Sequence, residues 1–194
     1  MSANLEQARR ASARHVFIDT EFTSRSRPER LSIALVADDG RECYVELAVP
    51  PWCVNDFMVR AVLPEWGLVP GRAASTAELG PRVDAWLSSL GDTAIDVVYD
   101  FEAAFDLMRH ALHLANLWRR WSGALVADKV GRLARQPVCD EAMDPSWTNS
   151  MRRGGIRRHH ALADPRALRA GYQAIHEPHL QLQEQIQTTQ GLST

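Results

Sequence analysis

Residues 15–24 read HVFIDTEFTS. The run Val16-Phe17-Ile18 has the apolar character of a buried strand, yet it ends in Asp19 and Glu21. Side chains alternate along a strand, so Asp19 and Glu21 share one face while Ile18, Thr20 and Phe22 share the other. Two carboxylates so placed lie roughly 6–7 Å apart and repel each other. Alone, such a pair reads as a solvated strand end. Beside further acids, it calls for a hard divalent cation, whose preferred ligands are oxygens.

The segments after residue 24 give that strand its neighbours. RLSIALVADDG (30–40) and RECYVELAVP (41–50) are two more apolar runs, separated by an Asp39-Gly40 hairpin signal, so the chain opens with three antiparallel strands. Residues 51–73 mix Pro, Gly and Trp around a short helix in NDFMVRAVLPEW that stops near Pro64. STAELGPRVDAWLSSLG (75–91) is a helix capped by Ser75 or Thr76, with Leu79, Val83, Trp86, Leu87 and Leu90 on one face and Gly91 at its end. TAIDVVYD (93–100) is a fourth strand, and residues 101–121 form a long helix with Phe101, Phe105, Met108 and Leu112 in register. SGALVADKV (122–130) is a short fifth strand. Residues 131–157 show no clear period and are expected to be irregular. ALADPRALRAGYQAIHEPHLQLQ (161–183) is helical with a break near Pro178. Strands first, then helices alternating with strands, predict an α/β fold: a mixed sheet with helices packed on it.

The 194 residues suit one domain, expected over 15–180 between a leader (1–14) and a polar tail (181–194). Hydrophobic residues make up 45% and charged residues 24%, the balance of a soluble globular chain. No apolar run reaches the roughly 18 residues of a membrane span, and the leader lacks the apolar centre of a secretory signal. Cys43, Cys53 and Cys139 are odd in number and lack metal-type spacing, which predicts a reducing, cytoplasmic setting. Net charge is −2, so no global field attracts a polyanion. Locally, Arg152, Arg153, Arg157, Arg158, Arg166 and Arg169 crowd together, with Arg119 and Arg120 in WRRW; such a patch either guides phosphate or is a solvated surface.

Acids recur at the starts of two helices. Asp100 follows the fourth strand directly, and Asp164 precedes Pro165, a residue tolerated in a first helical turn. Asp is also a common N-cap, so each has a structural alternative. His159 stands five residues before Asp164.

DTEF on the first strand, YDFEAAFDL after the fourth and HHALADPRAL at a late helix together resemble the DEDDh 3′–5′ exonucleases, ribonuclease-H-like nucleases that include ribonuclease T, oligoribonuclease and polymerase proofreading subunits. The likeness spans residues 15–176 and is weakest over 131–157. VLPEWG before the AWL helix, with ADDGRECY, looks like the small bacterial exoribonuclease branch first recognised in mycobacteria. The resemblance implies an antiparallel-then-parallel ribonuclease-H-like sheet. It also implies a phosphodiesterase that removes 5′-monophosphates from single-stranded 3′ ends, RNA favoured over DNA, in a homodimer.

Asp19, Glu21, Asp100 and Asp164 would then hold two Mg²⁺ or Mn²⁺ ions about 3.5–4 Å apart, with Asp19 as the bridging ligand. His159 would be the general base, a role suited to a side chain that changes charge near neutrality. Thr20, Phe22 and Arg158 would contact substrate. Alternation leaves Phe22 either a wedge against the terminal bases or a core residue. Trp118, Trp121 and Trp147 are candidate base stackers, Trp118 more plausibly core, and Arg153 and Arg157 are further phosphate candidates.

Two choices arise within the motifs. Relatives often carry Phe-Asp where Asp106 stands, but Asp106 falls on the polar side of its helix while Asp100 stands where the sheet delivers the chain, so Asp100 is taken. Of His159 and His160, only His159 has the H-x4-D spacing. Pro165 departs from the Ala more usual after the last Asp; it predicts a helix starting at Asp164 with the carboxylate turned toward its own helix end, in competition with metal.

Overall fold

The computed structural model describes residues 13–23, 30–47, 55–70, 72–91, 94–130 and 136–176. Residues 1–12 of the leader, the tail, Cys53 and Pro178 lie outside those residues, and the first strand takes in Arg14 from the leader's end.

Six strands form one sheet: β1 (Arg14–Phe22), β2 (Arg30–Ala37), β3 (Glu42–Leu47), β4 (Ala73–Ala74), β5 (Ile95–Tyr99) and β6 (Leu125–Lys129), in the order β4-β3-β2-β1-β5-β6. β1, β2 and β3 pair antiparallel, whereas β5 joins β1, and β6 joins β5, in parallel. The mixed α/β sheet is therefore the one expected, antiparallel first and then parallel. The β2–β3 turn closes as its Asp-Gly pair requires, with Gly40 at φ +86° and its N–H donating to the Ala37 carbonyl at 2.9 Å. The two-residue β4 is too short to leave a pattern in the sequence.

Helices cover both faces of the sheet. On one face lie α1 (Thr76–Ser89) and α2 (Glu102–Leu114), continued by the single turn α3 (Trp118–Trp121). Ser75 caps α1 in a reciprocal pair with Glu78, whose carboxylate accepts from the Ser75 N–H at 2.7 Å. Leu79, Val83 and Leu87 of α1 and Met108 and Leu112 of α2 close over Val16, Ile18, Ile33, Leu35 and Val97. The opposite face is covered by α4 (Pro137–Gly154), the loop after it, and α5 (residues 163–176). There Ala34, Val36 and Tyr44 meet Ile156, Leu162 and Ala163, while Phe17 and Val98 meet Leu168. Burial of these side chains at about 25 cal/mol per Å² is the main force holding the layers together.

Three expectations are corrected. Residues 137–154 are an 18-residue helix rather than an irregular loop. Only Cys139 and Ser150 in it are buried, so no apolar stripe marks it. Its end signals were present all the same: Pro137 in the first turn and Gly155 in the left-handed conformation at the end (φ +69°). Phe101 is no core residue of α2; it is the N-cap and is exposed. Pro64 does not stop the helical segment but lies within a 3₁₀ turn (Leu63–Glu65) that follows a π-helical turn (Met58–Val62). Among the described residues no helix is long and apolar enough to cross a membrane.

Candidate metal and phosphodiester site

Register places the acids. Phe17 of β1 pairs with Val98 of β5, and both side chains sit in the α5-side core. Two residues on from this pair come Asp19, still in β1, and Asp100, one residue past the end of β5, and both border the same cleft. The N-cap of α2 is Phe101, which puts Asp100 outside the helix. Asp106 is directed elsewhere: its carboxylate meets Arg109 at 2.9 Å on the exposed side of α2, away from the cleft. Glu21 follows Asp19 on the same face, just before the β1–β2 register shifts between Glu21 and Phe22.

The fourth acid arrives from the helix layer. α5 starts at residue 163, one before the expected Asp164. The Asp164 carboxylate does not cap its own helix. It accepts from the Trp147 indole at 2.8 Å and from the His159 backbone N–H at 3.2 and 3.4 Å. His159 adopts a left-handed conformation (φ +70°), and its exposed ring meets Phe57 edge-on with centroids 5.5 Å apart. His160 is turned the other way: 3% exposed, with Nδ1 accepting from the Leu162 N–H at 3.0 Å and its ring 4.9 Å from Tyr44. The two adjacent histidines thus divide, one facing the cleft and one in the core.

Asp19, Thr20, Glu21, Phe22, Asp100, Arg158, His159 and Asp164 all line a single open cleft of about 890 Å³. Burial first, and then the charges of Asp164 and Asp100, push Asp19 well above the usual carboxylate range. Glu21 is pushed up by burial and by Asp19, Asp164 and Glu65, and Asp164 is raised chiefly by burial. Nearby cations are engaged elsewhere: Lys129 pairs with Glu102 at 2.7 Å, and the Arg158 guanidinium lies 4.6 Å over the Trp147 ring. An all-oxygen set of mutually repelling carboxylates is the donor chemistry that suits Mg²⁺ or Mn²⁺. As they stand, no three such side chains among the described residues are drawn together as a finished cage. The carboxylates surround the space rather than meeting at a point.

Thr20 is 4% exposed and its hydroxyl has no hydrogen-bond partner among the described residues, although it borders the cleft. Phe22 is half-buried at the cleft and stacks on Phe101. Trp118 packs against the α2 core, and Trp121 is buried with its indole donating to Asp84 at 2.7 Å; neither borders the cleft. Arg153 and Arg157 are exposed but also stand outside it.

Sequence reasoning passed over several residues here. Phe57, Lys129, Asp140 and Met143 line the cleft. Glu65, 6% exposed, accepts from the Arg157 N–H at 2.6 Å and so ties the Pro64 turn to the loop carrying His159. The 92-residue separation of that contact leaves no local signal; only the acid in an otherwise apolar VLPEWG hinted at it.

No family model matches the sequence, and no curated protein matches it. Solved structures do resemble it. A moderately thermophilic exonuclease I from Methylocaldum szegediense superposes with a TM-score of 0.54 at 17% identity, over 85% of this chain and 40% of that one. Escherichia coli exonuclease I in complex with a 5cy-dA13 oligonucleotide gives 0.51 at 11% identity, over 85% and 40%. The zinc-ion-bound form of the E. coli exonuclease I–single-stranded DNA complex gives 0.53 at 13% identity, over 91% and 43%. The chain spans less than half the length of these proteins. What the likeness establishes is the architecture: a ribonuclease-H-like α/β fold of the kind found in exonuclease I.

Proposed function

We propose that the protein is a metal-dependent 3′–5′ exonuclease acting on single-stranded 3′ ends and releasing nucleoside 5′-monophosphates. The observation that carries the reading is the convergence of Asp19, Glu21, Asp100, Asp164 and His159 from separate segments of the chain on one cleft. Carboxylates raised by burial and mutual repulsion, with no cation of the chain paired to them among the described residues, support it further.

Asp19, Glu21, Asp100 and Asp164 would hold two Mg²⁺ or Mn²⁺ ions, which supply the positive charge needed to activate water and stabilise the departing 3′ oxygen. Asp19, which feels the charges of Asp164 and Asp100 and itself bears on Glu21, would be the central ligand of the set. His159 takes the proton from the attacking water. Its exposure and its place on a loop at the cleft let the ring approach a bound phosphodiester. Arg158 contacts phosphate, and Phe22 supports the terminal base, since stacking tolerates any sequence. Thr20 lies close to the substrate path, its hydroxyl free to donate.

RNA is the substrate assigned first, on the likeness to the small bacterial exoribonuclease branch. DNA is the second reading, because the similar exonuclease I structures hold single-stranded DNA and a dA13 oligonucleotide. A homodimeric assembly and a cytoplasmic location belong to the same proposal. The test is purified protein with Mn²⁺ and matched 3′-overhang RNA and DNA oligomers: stepwise release of mononucleotides, abolished in Asp19→Ala and slowed sharply in His159→Ala, is expected. Binding without any hydrolysis would mark a silent nucleic-acid-binding module instead.

A further inference from the structure

α4 carries one side chain to the point where an acid and an arginine of the cleft meet. The Trp147 indole N–H donates to Asp164 Oδ1 at 2.8 Å, and the Arg158 guanidinium covers the ring at 4.6 Å. The indole itself is half-buried against the cluster of Ala34, Tyr44, Ile156 and Ala163. Indole nitrogen only donates, so this bond takes up one acceptor site on Oδ1 and, with the His159 N–H at both oxygens, restrains the direction of the carboxylate. The ring face covered by Arg158 is closed to a nucleobase.

We propose that Trp147 is a positioning residue: its N–H orients Asp164 toward a bound cation, and its ring holds the Arg158 guanidinium over the path of the phosphate. The inference rests on the nuclease reading above and adds a residue to it. Hydrogen bonds to a ligating carboxylate fix its direction and basicity, and their loss typically costs about 10–100-fold in metal affinity. A guanidinium on an aromatic face loses less freedom when it binds phosphate. The two functions use different parts of one side chain, so they separate by mutation.

Trp147→Phe removes the N–H and keeps the ring. Calorimetry on the full, metal-free chain should show Mn²⁺ binding about tenfold weaker, while the KM for a single-stranded oligonucleotide at saturating Mn²⁺ stays at the wild-type value. Arg158→Ala should do the reverse, leaving Mn²⁺ affinity intact and raising KM about tenfold. Trp147→His returns a ring N–H and should regain part of the lost affinity. Wild-type Mn²⁺ affinity in Trp147→Phe overturns the inference. So does equal weakening in the Phe and His variants together with lowered melting temperatures, which marks packing alone. A wild-type chain that binds no Mn²⁺, or an Asp19→Ala variant that binds it equally well, overturns the metal reading itself and this inference with it.

Discussion

Phe22 and Phe101 stack with ring centroids 5.9 Å apart and planes 5° from parallel. Phe22 follows Glu21 and Phe101 follows Asp100, so the two rings form an aromatic shelf beside two of the cleft acids. Strand alternation sends Phe22 away from Glu21, but the β1–β2 register shifts between these two residues, and the Phe22 ring borders the cleft. Phe101→Ala and Phe22→Ala should each raise the KM for oligonucleotides about tenfold with little change in kcat, since a base–aromatic stack contributes ~1–3 kcal/mol. Steady-state kinetics on substrates with a normal or an abasic 3′ terminus checks this: the penalty should vanish on the abasic end. Unchanged KM values on normal ends would remove the shelf from the substrate path.

Asp100 and Asp106 make a sharper pair. Asp100 borders the cleft with Asp19, whereas Asp106 is ion-paired with Arg109 at 2.9 Å on the far side of α2. Asp100→Asn should reduce kcat by at least a hundredfold at fixed Mn²⁺, and Asp106→Asn should retain near wild-type activity. Removing an exposed pair at i, i+3 spacing costs only about 0.2–0.5 kcal/mol of stability. Parallel turnover assays with melting curves decide the matter, and the opposite ranking would transfer the second-motif role to Asp106.

What could be read ahead of the structure was local. Alternation put Asp19 and Glu21 on one face, Asp-Gly closed the β2–β3 turn, and Ser75 with Glu78 began α1. Each of those features is decided within a few residues. α4 was missed because its packing face is built from Cys139 and Ser150, with Pro145 inside and no 3.6-residue apolar period. Trp147, within it, was legible as an aromatic but not as a donor to Asp164, since that bond needs α4 and α5 brought together. Glu65 and Phe57 reach the His159 loop across some ninety or more residues of chain, a relation no spacing encodes. The acids that line the cleft could be picked out by motif; the side chains that meet them and their loop from α4 and from the Pro64 turn could not.

The cluster of acids should cost stability when no metal is present. Asp19 and Glu21 are raised by burial and by their neighbours' charges, so keeping them ionised opposes folding as pH rises above the ordinary carboxylate range. Asp19→Asn should therefore melt higher than wild type at pH 8 in chelator, by roughly 2–4 °C for each kcal/mol of repulsion relieved. Added Mn²⁺ should raise the wild-type melting temperature and leave that of Asp19→Asn nearly unmoved, because only a ligand bound to the folded state stabilises it. An Asp19→Asn chain less stable than wild type in chelator would mean that the carboxylate is a structural partner and not a strained ligand.

His160 gives a pH dependence of opposite sign. Burial, and then the Arg166 charge, lower it from the ordinary value of 6.5 to about 4. Its Nδ1 accepts from the Leu162 N–H while Nε2 is buried without a partner among the described residues, so the ring is held neutral with its proton on Nε2. Below pH 6.5 the unfolded chain takes up a proton that the folded chain refuses until about pH 4, so stability is full above that window and falls as pH drops through it. The loss amounts to about 3 kcal/mol at the lower end. Asp19, Glu21 and Asp164 push the other way as they protonate, so wild-type curves alone conceal the effect. His160→Asn keeps an acceptor for Leu162 and has nothing to titrate. Denaturant unfolding at pH 7.5, 6, 5 and 4 should show wild type losing stability relative to His160→Asn as pH falls, with parallel curves as the outcome that removes His160 from the acid sensitivity of the fold.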